Sequence, residues 1–349
     1  MTTLSKLPAP LLAWYGAGHR SLPWRQEVSP YRTWVSEIML QQTRVAAVIP
    51  YFERFMAALP TVEALAAVDE PTLLSLWQGL GYYNRARNLR LAAKKIVGFH
   101  GGQFPHTYEE IRMLPGVGDY TAGAIASIAF SLPTPAVDGN VLRVVARLTD
   151  CHDNVLAPAT RRRVTEELAA VIPHDHPGDF NQALMELGAT VCLPNTEPKC
   201  AECPCRGFCQ GFAHGTAASL PVREKKEGRR KEEKTVFILR SGEYEAVRYR
   251  GEEGLLASLW EYPNVAGTLT ESEAAAQLTA WNVTPHKWVK KAKSKHIFTH
   301  IQWIMKGVYL EVSEAAGDFH WFTAEEINTQ AALPTAFRQF WDLEETQHV

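Results

Sequence analysis

The sequence predicts a chain of two parts: a mainly α N-terminal portion and a smaller α+β C-terminal portion. Three observations carry this. Up to about residue 220, apolar residues recur at helical spacing almost throughout. A run of mixed charge without an apolar residue, Arg223 to Lys234, then breaks the pattern. Beyond it, short strand-like apolar runs replace the helical period. A length of 349 residues suits two domains, and 46% hydrophobic with 21% charged residues is ordinary for a soluble globular protein.

Taken in order, Trp34, Ile38, Val45, Val48, Ile49 and Phe52 follow one helical stripe. Leu65, Val68, Leu73, Leu76 and Leu80 follow another. The charged run lies in a solvated linker over 220–234, dividing a domain at 1–219 from one at 235–349. In the second part, Thr235–Arg240, Tyr244–Arg250 and Ile301–Val312 are expected as strands, and Glu271–Trp281 and Ala324–Asn328 as helices. No apolar run approaches the ~20 residues of a membrane span. Met1 to Arg20 carries neither an apolar leader core nor an Arg- and Ser-rich stretch, so no targeting segment is expected. With a net charge of −2, any face for nucleic acid must be local.

The most specific local feature is four cysteines, Cys192, Cys200, Cys203 and Cys209, spaced C-x7-C-x2-C-x5-C. A chain large enough to build a core, with no secretory leader, has little use for a disulfide framework. Close-set thiolates then hold zinc or an iron–sulfur cluster. Zinc sites tend toward two separated C-x2-C pairs. A single, a pair and a single suit one compact [4Fe–4S] cube better, with zinc as the alternative. Cys205, inside the loop, reads as a spare thiol, and Cys151 as a small buried apolar residue.

Leu114-Pro-Gly-Val-Gly118 lies between a short helical stretch, Tyr108 to Met113, and a small-residue helix, Tyr120 to Phe130. Such a hairpin exposes backbone N–H groups at the start of its second helix. Gly116 and Gly118 let a ligand come close to them. Those groups and the helix dipole favour a phosphate oxygen, a contact that positions DNA without reading its sequence. A ligand-free turn between two helices is the alternative. Asp138, in Ala136-Val-Asp-Gly-Asn-Val-Leu-Arg143, opens a further helix. It either caps that helix or sits at the mouth of a cleft.

In this order, the LPGVG hairpin, the VDGNV segment and the four-cysteine loop resemble the helix-hairpin-helix DNA glycosylases, and within them the adenine DNA glycosylases. Trp34-Val-Ser-Glu-Ile-Met-Leu-Gln-Gln-Thr43 is similar to their first catalytic-helix motif. Gly79-Leu-Gly-Tyr-Tyr-Asn-Arg-Ala-Arg87 is similar to their DNA-wedge segment. The likeness continues through Leu255-Leu-Ala-Ser-Leu-Trp-Glu-Tyr-Pro263. It implies a mainly α helix-hairpin-helix glycosylase domain with a [4Fe–4S] cluster loop at 192–209, plus an α+β Nudix-like C-terminal domain. The first would combine a six-helix module bearing the hairpin with a cluster module built from the extreme N-terminus and the residues after about 133. Cys192 and Cys200 stand one residue further apart than the family's usual spacing. The extra residue falls in a loop, so the ligand set Cys192, Cys200, Cys203 and Cys209 is expected to persist. The second domain's ESEAAAQLTAW lacks the glutamate-rich core of a Nudix box. The resemblance therefore implies recognition of 8-oxoguanine in DNA in place of nucleotide hydrolysis.

Excising a base breaks an N-glycosidic bond through an oxocarbenium-like state, which calls for an acid at the leaving base and an anion near the sugar. The resemblance assigns these to Glu37 and Asp138. Val35, Ile38, Met39 and Leu40 surround Glu37 in sequence and are expected to raise its pKa by desolvation, poising it to protonate adenine at N7. Without the resemblance, Glu37 would be an ordinary surface glutamate of an amphipathic helix. Asp138 would stabilise the sugar cation or add to it covalently, and Asn140 would orient the pair. Tyr120 stands where endonuclease III-like lyases carry a Schiff-base lysine. A phenol forms no imine, so base removal without backbone cleavage is expected. A lyase on oxidised pyrimidines is the alternative. The target base must leave the stack. Gln42 and Tyr82 match positions that insert between base steps, and Thr43 and Leu80 positions near the orphaned partner base. Phe298-Thr299-His300 resembles a Phe-Ser-His loop that contacts 8-oxoguanine. The basic run Lys287 to Lys295 would meet phosphates or remain a solvated face. The implied partner is duplex DNA with A:8-oxoguanine or A:G mispairs, bound by a monomer in the cytoplasm, at the nucleoid if bacterial.

Overall fold

The computed structural model describes residues 2–224, 229–251, 254–298, 300–331 and 333–345. They divide into two compact units, Met1–Val68 with Arg87–Lys225, and Asp69–Ala86 with Lys226–Val349. The short segment Asp69–Ala86 groups with the second unit, which no local sequence signal announces.

The first unit is helical. The stripe expected to run from Trp34 to Phe52 forms two helices, Pro30–Leu40 and Val45–Ala58. Ser29 caps the first by accepting from the Arg32 amide, and Gln42, at φ 59, turns the chain before the second. The stripe from Leu65 to Leu80 likewise splits, into Val62–Ala67 of this unit and Glu70–Trp77 of the second, the latter capped by Asp69. The hairpin helices are Tyr108–Arg112 and Asp119–Phe130. The second is packed tightly through its small residues. A Cβ added at Gly123 would lie 2.2 Å from the Pro135 carbonyl oxygen, a backbone atom that cannot swing away. Gly123→Val is expected to lower unfolding free energy by about 1–3 kcal/mol or more, read from chemical denaturation. An unchanged midpoint would contradict this packing.

A separate core joins the N-terminus to later helices. Leu4, Leu7, Leu11 and Tyr15 bury against Val141, Val145 and Leu148 of helix Gly139–Leu148 and against Phe180, Leu184 and Leu187 of helix Pro177–Thr190. Cys205 and Cys209 close the same core. The extreme N-terminus thus completes the module that carries the cysteine loop. Cys151 departs from expectation: it is only half-buried, and its Sγ lies 3.0 Å from Arg163 Nη2.

The second unit holds strands β1 (Arg230–Ser241), β2 (Tyr244–Tyr249), β3 (Trp260–Glu261), β4 (Asn264–Ala266), β5 (Pro285–Ile297), β6 (Ile301–Val312) and β7 (His320–Thr323). Their order is β3-β2-β1-β6-β5, with β4 also on β1 and β7 on β2. β1 and β6 run parallel, and the other pairs are antiparallel. β1 is buried on both faces. Val236 and Ile238 meet Phe337 and Phe340 of helix Thr335–Glu345, and Phe237 and Leu239 meet Ala274 and Leu278 of helix Glu271–Ala280.

One expectation is corrected here. The charged run is not all linker: β1 starts at Arg230, its amide donating to the His300 carbonyl. There Lys234 lies over the Trp303 ring at 4.7 Å, and Glu232 accepts from Trp303 Nε1 at 2.9 Å. Charged side chains whose stems cover an aromatic ring fit a strand despite their polarity. The basic run Lys287 to Lys295 lies on β5, the 13-residue edge strand of the sheet. Lysines on such an edge discourage pairing with a foreign strand.

Candidate active site

A cleft of about 810 Å³ in the first unit opens between helix Pro30–Leu40, the hairpin's second helix, the start of Gly139–Leu148 and helix Pro177–Thr190. Glu37, Tyr120, Asp138 and Asn140 line it together, as do Gln42 and Thr43. Residues spread over a hundred positions of sequence therefore meet in one hollow.

Glu37 points from the apolar side of its helix and is 5% exposed. Tyr120 Oη donates to its Oε2 at 2.5 Å. Burial pushes the Glu37 carboxyl up to about 7; the Tyr120 hydrogen bond opposes that rise and the nearby Asp138 adds to it. The Tyr120 phenol is raised well above its usual value, by burial first and by the two carboxylates after it. At neutral pH Glu37 is thus poised between acid and carboxylate, while Tyr120 keeps its proton.

Asp138 satisfies both of its sequence readings. It caps helix Gly139–Leu148: Oδ1 accepts from the Asn140 and Val141 amides, each at 2.8 Å. Oδ2 accepts from Asn140 Nδ2 at 2.7 Å. Three donors fix the carboxylate at the cleft wall. Asn140 is fixed in turn by Arg143, whose Nη2 donates to Asn140 Oδ1 at 3.1 Å and to the Gly188 carbonyl at 2.8 Å. Arg143 Nε donates to the Cys192 carbonyl at 2.9 Å, so one buried guanidinium links the Asp138 side of the cleft to the cysteine loop.

Sequence reasoning missed Arg143, and also the ion cluster on the opposite wall. There Glu186, 2% exposed, accepts from Arg20 Nε at 2.6 Å and from Arg25 Nη2 at 3.0 Å. Burial raises its pKa, but the two guanidiniums outweigh burial and hold it below the usual range. Partners more than 160 positions apart leave no local spacing to read. Arg143 did carry a faint signal, lying on the same helical face as Asn140 three residues earlier.

The hairpin has the expected turn. Gly116 sits at φ 76, and a Cβ there would lie 2.7 Å from Asn88 Cβ. Gly118 has extended backbone, opens the second helix, and has no protein atom within 4 Å of where a side chain would go. The residue is exposed.

Cys192, Cys200, Cys203 and Cys209 line one small apolar hollow, with Val144, Leu187 and Val191. None of the six cysteines is in a disulfide. Arg147 Nη1 lies 3.3 Å from Cys192 Sγ and donates to the Leu193 carbonyl at 2.9 Å. A buried cation beside the sulfur suits thiolate ligands. Among the described residues, no group of three His, Cys, Asp or Glu side chains converges on a single ion. Cys205, buried in the same core, is hydrogen-bonded to Cys203.

Leu80 and Tyr82 lie in the Asp69–Ala86 segment. Leu80 is buried, and Tyr82 is 47% exposed with φ 49. Phe298 and His300 flank the β5–β6 turn; Phe298 packs edge-on against Trp303 with ring centroids 4.8 Å apart, and His300 is exposed. Thr299 lies outside the described residues. Of the basic run, Lys291 pairs with Glu271, and Lys290 lies over Tyr309 at 4.5 Å.

Two helices joined by a glycine hairpin, beside a cleft with a raised glutamate and a fixed aspartate, define the class: a helix-hairpin-helix base excision glycosylase. The profile of the HhH-GPD superfamily of base excision DNA repair proteins matches residues 35–174, and that of the NUDIX domain residues 235–343. The chain is 34% identical to the adenine DNA glycosylase of Mus musculus, covering 96% of this chain and 77% of the mouse protein. To that of Homo sapiens it is 33% identical, covering 94% of this chain and 72% of the human protein. It spans 57% of the Arabidopsis thaliana adenine DNA glycosylase, at 36% identity over 88% of this chain. Among solved structures, a thermostable thymine-DNA glycosylase superposes with TM-score 0.55 at 25% identity, over 61% of this chain and 97% of that one. Endonuclease III, trapped covalently on DNA, does so with TM-score 0.52 at 25% identity, over 62% of this chain and 99% of that one. The chain belongs to the adenine DNA glycosylase family.

Proposed function

We propose that this chain is a monofunctional DNA glycosylase that hydrolyses the N-glycosidic bond of adenine mispaired with 8-oxoguanine or guanine. The observation that carries the reading is the Glu37–Tyr120 hydrogen bond facing Asp138 in one cleft. Glu37 delivers a proton to adenine N7 as the bond to the sugar breaks. Asp138, oriented by Asn140, places its carboxylate where positive charge develops on the sugar, stabilising it or adding to it before water completes hydrolysis. Tyr120 keeps the Glu37 carboxyl aimed and offers no amine for an imine. Gly116 and Gly118 present the hairpin to a backbone phosphate. Gln42 and Tyr82 enter the stack, with Thr43 and Leu80 by the partner base.

Cys192, Cys200, Cys203 and Cys209 hold a [4Fe–4S] cluster. Four soft donors lining one apolar hollow, at this spacing, support a multi-iron group over a single ion. Bound there, the cluster supplies a covalent cross-link for a loop that has no disulfide. Purified protein is expected to be brown with about four irons per chain, and Cys200→Ser to lose most of that iron. Stoichiometric zinc in place of iron would refute the assignment.

The second domain, 235–349, reads the partner base through Phe298, Thr299 and His300. Its helix Glu271–Ala280 offers no hydrolytic carboxylate pair: Glu271 pairs with Lys291, and Glu273 closes a capping box with Thr270. The target is duplex DNA, so the protein works at the genome, as a monomer. Among the described residues, no helix is long and apolar enough to cross a membrane.

Strand scission of duplexes carrying A opposite 8-oxoguanine or guanine tests the reading. Cutting is expected only after hot alkali. Cutting without alkali, with borohydride trapping of an imine, would favour the lyase. A Thr299→Ala/His300→Ala double variant is expected to lose about 5- to 150-fold of the preference for 8-oxoguanine, the equivalent of roughly one or two hydrogen bonds. An unchanged preference would move lesion reading elsewhere.

A further inference from the structure

The turn that presents Tyr82 is built from conformations the chain does not adopt freely. Gly79, Gly81 and Tyr82 all have left-handed backbone, with φ of 99, 69 and 49. Glycine tolerates this; tyrosine does so only when its surroundings impose it. The surroundings here centre on Arg85, one helical turn further on. Its Nη2 donates to the Leu80 carbonyl at 3.0 Å and to the Gly81 carbonyl at 3.1 Å. The same guanidinium lies 5.3 Å from the Trp77 ring centroid and 5.7 Å from that of Tyr82. Trp77 is fully buried, and its Nε1 donates to the Gly81 carbonyl at 3.1 Å. The Arg85 amide donates to the Tyr82 carbonyl at 2.8 Å. A fixed indole, a planar cation and an exposed phenol ring are therefore stacked in sequence, with both turn carbonyls tied to the middle member.

We propose that Arg85 is a positioning residue that presets the Tyr82 ring for insertion into the base stack. It does so by holding the Gly79–Tyr82 turn and supporting the face of the ring. Side chains that enter DNA gain most when they are held in place beforehand, since ordering them on binding costs free energy. Arginine suits this position, because one Nη2 bonds both turn carbonyls while the flat guanidinium lies over two rings. A lysine could supply charge and donors but no plane to lie between the rings. Burial lowers the Arg85 pKa to about 10, which leaves it charged at neutral pH.

The inference rests on the glycosylase reading and on Tyr82 as the inserted side chain. Its test is a double-mutant cycle on the full-length protein, with Arg85→Met, Tyr82→Ala and the pair together. Two readouts are taken on an A:8-oxoguanine duplex. One is the single-turnover rate. The other is the fluorescence rise of a 2-aminopurine beside the mispair, with excision blocked by a 2′-fluorinated adenosine. Each single variant is expected to lose about tenfold in rate and most of the fluorescence rise, and the double to match Tyr82→Ala within about twofold. Losses that multiply in the double, or an Arg85→Met protein with normal rate and fluorescence, overturn the proposal. If Arg85→Met does not fold, as judged by its thermal melt, Arg85→Lys runs the same cycle under the same criteria. A wild-type protein that releases no adenine would instead overturn the glycosylase reading.

Discussion

Replacing Glu37 by Gln is expected to slow single-turnover adenine release by about three decades or more, several kcal/mol of transition-state stabilisation. Glutamine keeps the volume and still accepts from Tyr120, so the fold and mispair binding should persist. What disappears is the transferable proton. The raised pKa of about 7 gives the reaction a pH signature. The reactive form is the acid, so the rate should be level below that value and fall about tenfold per pH unit above it. Measuring the rate from about pH 5 to 9 checks the sign as well as the position. A near wild-type rate in Glu37→Gln, or a wild-type profile flat through the alkaline arm, would remove Glu37 from proton transfer.

Asp138→Asn is expected to cost a comparable three decades or so, for a different reason. Asparagine is as good a helix cap as aspartate, so the start of helix Gly139–Leu148 should hold and the thermal midpoint should move little. The variant loses the negative charge facing the sugar. Its amide also turns an acceptor into a donor opposite Asn140 Nδ2, which now meets Asp138 Oδ2 at 2.7 Å. The comparison to make is rate against mispair dissociation constant: the rate should collapse while binding stays close to wild type. A protein equally weakened in both would mean that Asp138 acts through the fold of the cleft and not on the sugar.

Much of this architecture was legible in the sequence because it is local. The stripes through Trp34 and Leu65, the hairpin at Leu114–Gly118 and the Asp138 cap each depend on residues within a few positions of one another. Where elements stop was harder. A stripe continues in phase across Gln41–Arg44, although one left-handed residue, Gln42, redirects the chain there. β5 escaped notice because its lysines look like a solvated run, yet burial still alternates over its second half. Helix Thr335–Glu345 was also missed, though Phe337 and Phe340 lie a helical turn apart. The site divides along the same line. Glu37, Tyr120, Asp138 and Asn140 came from motifs. The Arg143 link and the Arg20–Glu186–Arg25 cluster join distant segments and leave no periodicity behind.

The packing of the N-terminus has a consequence for synthesis. Leu7 and Leu11 are translated well before helix Pro177–Thr190, which supplies part of their burial. A growing chain therefore carries an apolar helix with no finished place to lie while most of the hairpin module is being made. Nascent segments in that condition are open to wrong partners, and contacts between distant parts of a chain form slowly. Maturation of the cysteine loop is tied to the same moment, because Cys205 and Cys209 enter that core together with Leu4 and Leu7. Translation rate, and any factor that shelters helix Pro8–Ala17 until helix Pro177–Thr190 arrives, would then set how much of this protein reaches its working form.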